Sequence, residues 1–157
     1  MAGTTASTIN DLFLTRISDY RLTAIYATSG SAAFTVYLEP WLLDAIVEFE
    51  PICDQDLTYT ISTGSAEGYF TETLTLENQI ILSKLMIISW LGQTVRDTTQ
   101  FQLFLQDHDY KTHSAAQNLT AKLQLYNATK EELNYLLGIY SYQKNAWDSW
   151  NIQDFIP

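Results

Sequence analysis

The sequence predicts an all-α protein, mainly a bundle of four to five helices, with a small β-hairpin inserted near residues 57–74 and an extended C-terminal arm. Three observations carry that expectation. Apolar residues recur at helical spacing in several stretches, the stretch 76–92 is apolar on nearly every side, and one segment of alternating apolar and hydroxyl residues interrupts the pattern. At 157 residues with 46% hydrophobic and 13% aromatic content, the length fits one domain whose core needs neither metal nor disulfide.

The first helix is expected over 9–25, where Ile9, Leu12, Phe13, Ile17, Tyr20 and Ile25 fall near a helical period and Thr8 stands ready to cap. Segment 27–38 opens on the turn signal Ser29-Gly30-Ser31, after which strand and early helix both remain open. Pro40 suits the first turn of a helix over 41–50, with Leu42, Leu43, Ile46, Val47 and Phe49 largely on one side, and Pro51 stops it. Leu57, Tyr59 and Ile61 then alternate with hydroxyl residues, Gly64 to Gly68 turn the chain, and Phe70 and Leu74 lie on the return. That is a hairpin or exposed loop, and without a Lys-Ser/Thr pair after the glycines it does not read as a phosphate cradle.

Thr75 caps the next helix and Glu77 sits in its first turn, where negative charge suits the helix dipole. Ile80, Ile81, Leu82, Leu85, Met86, Ile87, Ile88, Trp90 and Leu91 leave little polar surface on it. Such a helix must be enclosed, which makes 76–92 the central helix, with Gly92 near its end. Two capping boxes, Thr99 with Gln102 and Ser114 with Gln117, open a short helix near 99–106 and a long one from 115. Along the long helix Leu119, Leu123, Tyr126, Leu133, Leu137 and Tyr140 form a near-heptad seam for lengthwise packing, between helices or between subunits. A third box, Thr129 with Glu132, predicts a break or kink near Asn127, and the helix ends near Gly138 to Tyr142.

The chain thus divides into a helical domain, 1–142, and an arm, 143–157. In the arm, Trp147, Trp150, Ile152, Phe155 and Ile156 are spaced by Asp148, Ser149, Asn151, Gln153 and Asp154, too polar for a core helix. They read as a linear anchor docking on another surface, aromatics being the usual anchors of interfaces.

Charge restricts the partners. Eighteen acids against eight bases give a net charge of −10, which opposes nonspecific binding to nucleic acid. No base lies between Arg21 and Lys84, while nine acids do, among them Glu39, Asp44, Glu48, Glu50, Asp54 and Asp56. These make either a solvated acidic surface or a face that repels a polyanion. Cys53 is the sole cysteine and is expected to be a buried thiol. No signal peptide is expected at MAGTTAST, and the apolar run 80–91 is too short to span a membrane and contains Lys84. Asp107, His108, Asp109 and His113 cluster, but their spacing across a helix start suits a polar loop better than a metal site. No nucleophile motif is present, and the glycosylation acceptors at Asn118 and Asn127 fall within the long helix. The expectation is a protein without cofactor, metal or enzymatic activity.

LFLTRISDYRL near the start, LEPWLLDAIVEFEPICDQDLT in the acidic region, LTLENQIILSKLMIISWL in the central helix, and FLQDHDYKTHSAAQNLTAKLQLYNATKEELNYLLGIYSY together resemble the small head-to-tail connector proteins of tailed bacteriophages. The resemblance spans most of residues 9 to 142, with local phrases such as DYKTHSAAQNL and the final YSY. It implies a structural virion protein at the neck of the particle, assembled in the host cytoplasm. It implies about twelve copies in a ring below the portal protein, closing the DNA-filled head and joining it to the tail or a second neck protein. DNA would pass through without sequence-specific binding, no membrane would be involved, and the C-terminal arm would reach the portal or a neighbouring subunit. Residues 27–38 look less helical than the family pattern, and the 57–74 hairpin looks like an added loop. Two other readings stand beside it: an acidic inhibitor that mimics nucleic acid, and a metal-dependent hydrolase using His108 and His113.

Overall fold

The computed structural model describes residues 3–17, 20–63, 66–106 and 113–149, the side chains of 20, 21, 23, 29–32, 98–106, 113–119 and 145–149 excepted. The fold is all-α with one small antiparallel hairpin: α1 (Ala6–Leu14), α2 (Tyr20–Phe49), β1 (Tyr59–Thr60), β2 (Tyr69–Phe70), α3 (Leu76–Gln106) and α4 (His113–Ser149). α3 is the central helix, as its apolar surroundings predict. It packs against α1, α2 and α4, with Ile81, Leu82, Leu85, Met86, Ile88 and Leu91 buried. Facing them are Ile9 and Phe13 of α1, Leu38, Leu42, Ala45 and Phe49 of α2, and Leu133 and Tyr140 of α4.

The first expected helix is in fact two. Leu12 offers the carbonyl that the Arg16 amide would take in a continuing helix, but Thr15 Oγ1 and Arg16 Nη1 take it instead at 2.9 and 2.7 Å. The Arg16 amide turns back to Phe13, and α1 closes. Its start is also earlier than Thr8. The cap position is Thr5, and the free amide of Ser7 is bonded at 2.5 Å by the Glu67 carboxylate from the hairpin. A distant acid thus does the capping that a local hydroxyl was expected to do.

α2 absorbs both the ambiguous segment 27–38 and Pro40. Proline removes one backbone donor, that of the bond to the Val36 carbonyl, but Val36 and Pro40 lie on the exposed side of the helix, and α2 continues through them. Ser29-Gly30-Ser31 is no turn because the flanking Leu22, Phe34 and Leu38 are drawn onto the core. Pro51 does mark the end, where the amides of Ile52 and Cys53 close on the Phe49 carbonyl.

The hairpin is present, and it is built into the bundle rather than added on. β1 pairs with β2 in the register Tyr59 to Phe70 and Thr60 to Tyr69. The N-terminal residues lie along its other side: Thr4 N donates to Glu72 O, Phe70 N to Thr4 O, and Ala6 N to Gly68 O. Gly3 is obligatory there, since a Cβ would sit 1.8 Å from the Phe70 carbonyl oxygen. Leu57, Phe70 and Leu74 turn into the core.

Thr75 caps α3 as expected, its Oγ1 accepting from the Asn78 amide at 3.3 Å. Gly92 does not end that helix. It lies mid-helix against the Tyr126 ring of α4, and α3 runs on to Gln106, so Thr99 and Gln102 lie inside it rather than opening a new one. α4 begins at His113, which puts Ser114 in the first turn rather than at the cap. No break occurs near Asn127, because Thr129 Oγ1 bonds back to the Leu125 carbonyl at 2.8 Å instead of capping a new start. α4 also passes Gly138 and Tyr142 without ending, so residues 143–149 of the expected arm are helical.

Candidate interaction surface

Five of the six named acids, Asp44, Glu48, Glu50, Asp54 and Asp56, are exposed, and one is not. Glu39 is buried, and its Oε1 accepts from the Tyr59 hydroxyl at 2.9 Å and the Ser62 amide at 2.8 Å, which holds the hairpin onto α2. Its expected place on an acidic face is corrected by those two donors, which no local spacing reveals because they come from the hairpin. Burial and the Glu39 carboxylate together push the Tyr59 phenol up. Asp56 serves its own turn, accepting from the amide and hydroxyl of Thr58. Asp44 accepts from Ser89 Oγ at 2.5 Å, across from α2 to α3. Glu48 and Glu50 are exposed.

Asp54 is the centre of a polar junction between the loop after α2, the start of α3, and α4. Its carboxylate takes the Tyr140 hydroxyl, Lys144 Nζ at 2.5 Å and Asn78 Nδ2 at 3.1 Å. The Tyr140 hydroxyl in turn accepts the Asp54 amide at 3.1 Å, and Asn78 Nδ2 also reaches Gln55 Oε1 at 2.8 Å. Burial works against ionisation of Asp54, but the bonds from Lys144, Tyr140 and Asn78 outweigh it and hold the carboxyl at about 2. Cys53 beside it is half-buried rather than buried, with Sγ 3.8 Å from the Tyr140 hydroxyl. Burial pushes the thiol up, and burial with the Asp54 carboxylate pushes the Tyr140 phenol up. Neither group is activated as a nucleophile, so the junction is suited to holding α4 in place.

The heptad seam divides in two. Leu133 and Tyr140 are buried in the bundle, the Tyr140 ring tilted against Phe49 with centroids 5.3 Å apart, and Leu137 is half-buried beside them. Leu123 and Tyr126 instead line a cleft of about 520 Å³ between α2, α3 and α4, with Asp44, Glu48, Ile88 and Arg96 among its other walls. The side chain of Leu119 lies outside the described residues. Lys84 closes the seam from α3 with an ion pair to Glu132 at 2.6 Å.

α4 also exposes apolar residues, in a sector that the ion-paired Glu132 shares. Leu125, Tyr135, Ile139 and Tyr142 fall within about 100° of helix circumference, away from the bundle-facing Leu133 and Tyr140. Tyr135 is 71% and Tyr142 76% exposed. α2 repeats the arrangement. Tyr26, Val36, Tyr37 and Val47 are exposed, Val47 at 71%, in a sector that also holds Asp44 and the buried Leu22. No charged residue occurs from Leu22 to Leu38. Sequence periodicity missed both faces, because it was read for one buried stripe per helix.

Among the described residues no group of three or more histidine, cysteine or acidic side chains could hold a metal ion, and no helix is long and apolar enough to cross a membrane. Asp107, His108 and Asp109 lie outside the described residues, as do Trp150, Ile152, Phe155 and Ile156. Trp147 and His113 are helical, without a described side chain. Comparison with protein-family models, curated proteins and solved structures finds no match to the chain.

Proposed function

We propose that the protein is a structural subunit of a tailed-phage neck, forming a ring below the portal that closes the DNA-filled head and joins it to the tail. The observation that carries this reading is the pair of apolar faces on α4. One is spent on the bundle; the other points outward at tyrosines and aliphatics of a chain with net charge −10. A lone globular subunit has little use for such a face, whereas an assembling one needs it. The acidic character supports a channel that DNA traverses without being held, since repulsion prevents the contacts that release counterions. Residues 150–157, with Trp147 before them, supply the anchor to the portal or a neighbouring copy.

The burial of Glu39 and the pairing of Asp54 with Lys144 weigh against the nucleic-acid mimic, which needs its acids free on one surface. Electron microscopy of particles carrying a labelled chain tests the proposal. Label at the neck is expected, and label confined to the capsid shell, the tail tip or no particle at all rules it out.

A further inference from the structure

The cleft of about 520 Å³ between α2, α3 and α4 has the size of a small-molecule site, and its walls differ in charge. The α2 wall is acidic, with Asp44 and Glu48 one turn apart, and α3, on which α2 and α4 both pack, contributes Arg96. Among the described residues the ion pairs are Lys84 with Glu132 and Lys144 with Asp54, so these three charges share a cleft without closing on one another. We infer that the cleft binds a small amphipathic zwitterion, an α-amino acid with a large apolar side chain. Its ammonium meets Asp44 and Glu48, its carboxylate meets Arg96, and its side chain lies against Ile88, Leu123 and Tyr126.

Charges of both signs are held from α3. Ser89 Oγ donates to Asp44 Oδ2 at 2.5 Å, and Arg96 Nε donates to the Gly92 carbonyl at 3.2 Å. Those two anchor points lie three residues apart, about 4.5 Å along the helix axis, so an ammonium and a carboxylate on one carbon can reach one each. A carboxylate takes two parallel bonds from a guanidinium, and Glu48 with the second oxygen of Asp44 supplies acceptors for the three donors of an ammonium. Gly92 keeps the cleft floor bare, since a Cβ there would stand 3.6 Å from the Tyr126 ring. Leu123, 40% exposed, and that ring are apolar surface for the ligand's side chain to cover. Other ligands fit less well: a polyanion meets two carboxylates, a purely apolar molecule strips water from three charges, and a simple amine leaves Arg96 unanswered. The site is independent of the neck reading, which neither requires it nor falls with it.

The test titrates the isotope-labelled full chain with defined probes and follows amide shifts by NMR. L-Phenylalanine is expected to shift the amides of Ser89, Gly92, Arg96 and Tyr126 saturably. Phenethylamine, which lacks the carboxylate, and 3-phenylpropionate, which lacks the ammonium, should each bind about tenfold more weakly or worse. Arg96→Gln should lose about tenfold or more of the affinity for L-phenylalanine, and so should Asp44→Asn combined with Glu48→Gln. The latter variant should also bind 3-phenylpropionate at least as well as wild type does, because it removes two charges that repel it. All three side chains are exposed, and the same spectra show that each variant keeps its fold. Four results overturn the inference: no saturable shift up to the solubility limit of L-phenylalanine, saturable shifts confined to amides outside the cleft, phenethylamine binding as tightly as L-phenylalanine, or either variant binding L-phenylalanine as wild type does.

Discussion

The hydroxyl of Tyr140, deep in the last helix, donates to the carboxylate of Asp54 in the loop after α2, and Lys144 one turn further on grips the other oxygen. Two residues some ninety positions apart in the chain thereby fix where α4 lies. Tyr140→Phe keeps the ring on Phe49 and removes only the hydroxyl, so it is expected to cost about 1.5 kcal/mol in urea unfolding. An unchanged midpoint would show that the hydroxyl does not hold α4.

The same carboxyl sets an acid limb. Its folded value, about 2, lies below the ordinary 3.8, so the stability it supplies is fully present above about pH 4 and is lost as pH falls toward 2. Thermal melts across that window should show a steeper decline for wild type than for Asp54→Asn, whose neutral amide has nothing to titrate there. Parallel pH profiles would contradict this.

Glu39→Ala should destabilise by about 2 to 3 kcal/mol, since it strands the Tyr59 hydroxyl and the Ser62 amide, whereas Glu39→Gln keeps an acceptor and should recover part of the loss. Hydrogen exchange at the Ser62 amide reads the contact directly, and equal protection in wild type and the alanine variant would refute it.

Asn10 is 4% exposed, and neither polar atom of its side chain has a hydrogen-bond partner. Asn10→Leu, which keeps the branching but has no polar atom to bury, is therefore expected to raise stability by about 1 kcal/mol. A fall in the urea midpoint would mean that the amide has a use in the folded state.

Gly92 occupies the middle of α3, where an added Cβ would meet Tyr126 at 3.6 Å, an ordinary contact. Gly92→Ala should stabilise by about 0.5 to 1 kcal/mol through helix propensity alone. Differential scanning calorimetry would expose the opposite sign if the glycine relieves a clash.

Deleting residues 150–157 should leave the thermal transition of the bundle within a degree or so, because the core named above lies before them, while incorporation into particles is lost. Normal incorporation would remove the anchor from the proposal.

What could be read from the sequence follows the range of the interactions. The central helix, its Thr75 cap, the stop at Pro51 and the hairpin were legible because each depends on neighbours within a few residues. Helix ends set by distant groups were not. Thr8 was the obvious local cap, but Glu67 reaches α1 from sixty residues away, and Pro40 and Gly92 lose their usual meaning once tertiary packing holds the helix through them. The seam was half legible: Leu133 and Tyr140 obey it, while Leu123 and Tyr126 open onto the cleft. Glu39 looked like a surface acid, and Asp54 like an unpaired one, because their partners, Tyr59, Ser62, Tyr140 and Lys144, give no sign of themselves at short range.

The N-terminal segment bears on the order of events during synthesis. Residues 3–5 are made before the segment they lie against, which runs past β2 to Leu74, whose amide bonds Thr4 Oγ1 seventy residues away. Until Glu67 emerges, the Ser7 amide also lacks its carboxylate. Residues 3–5 must therefore wait for chain made later, and they are locked only when the hairpin has formed and α3 has begun, which makes this junction a late checkpoint on a correctly registered hairpin.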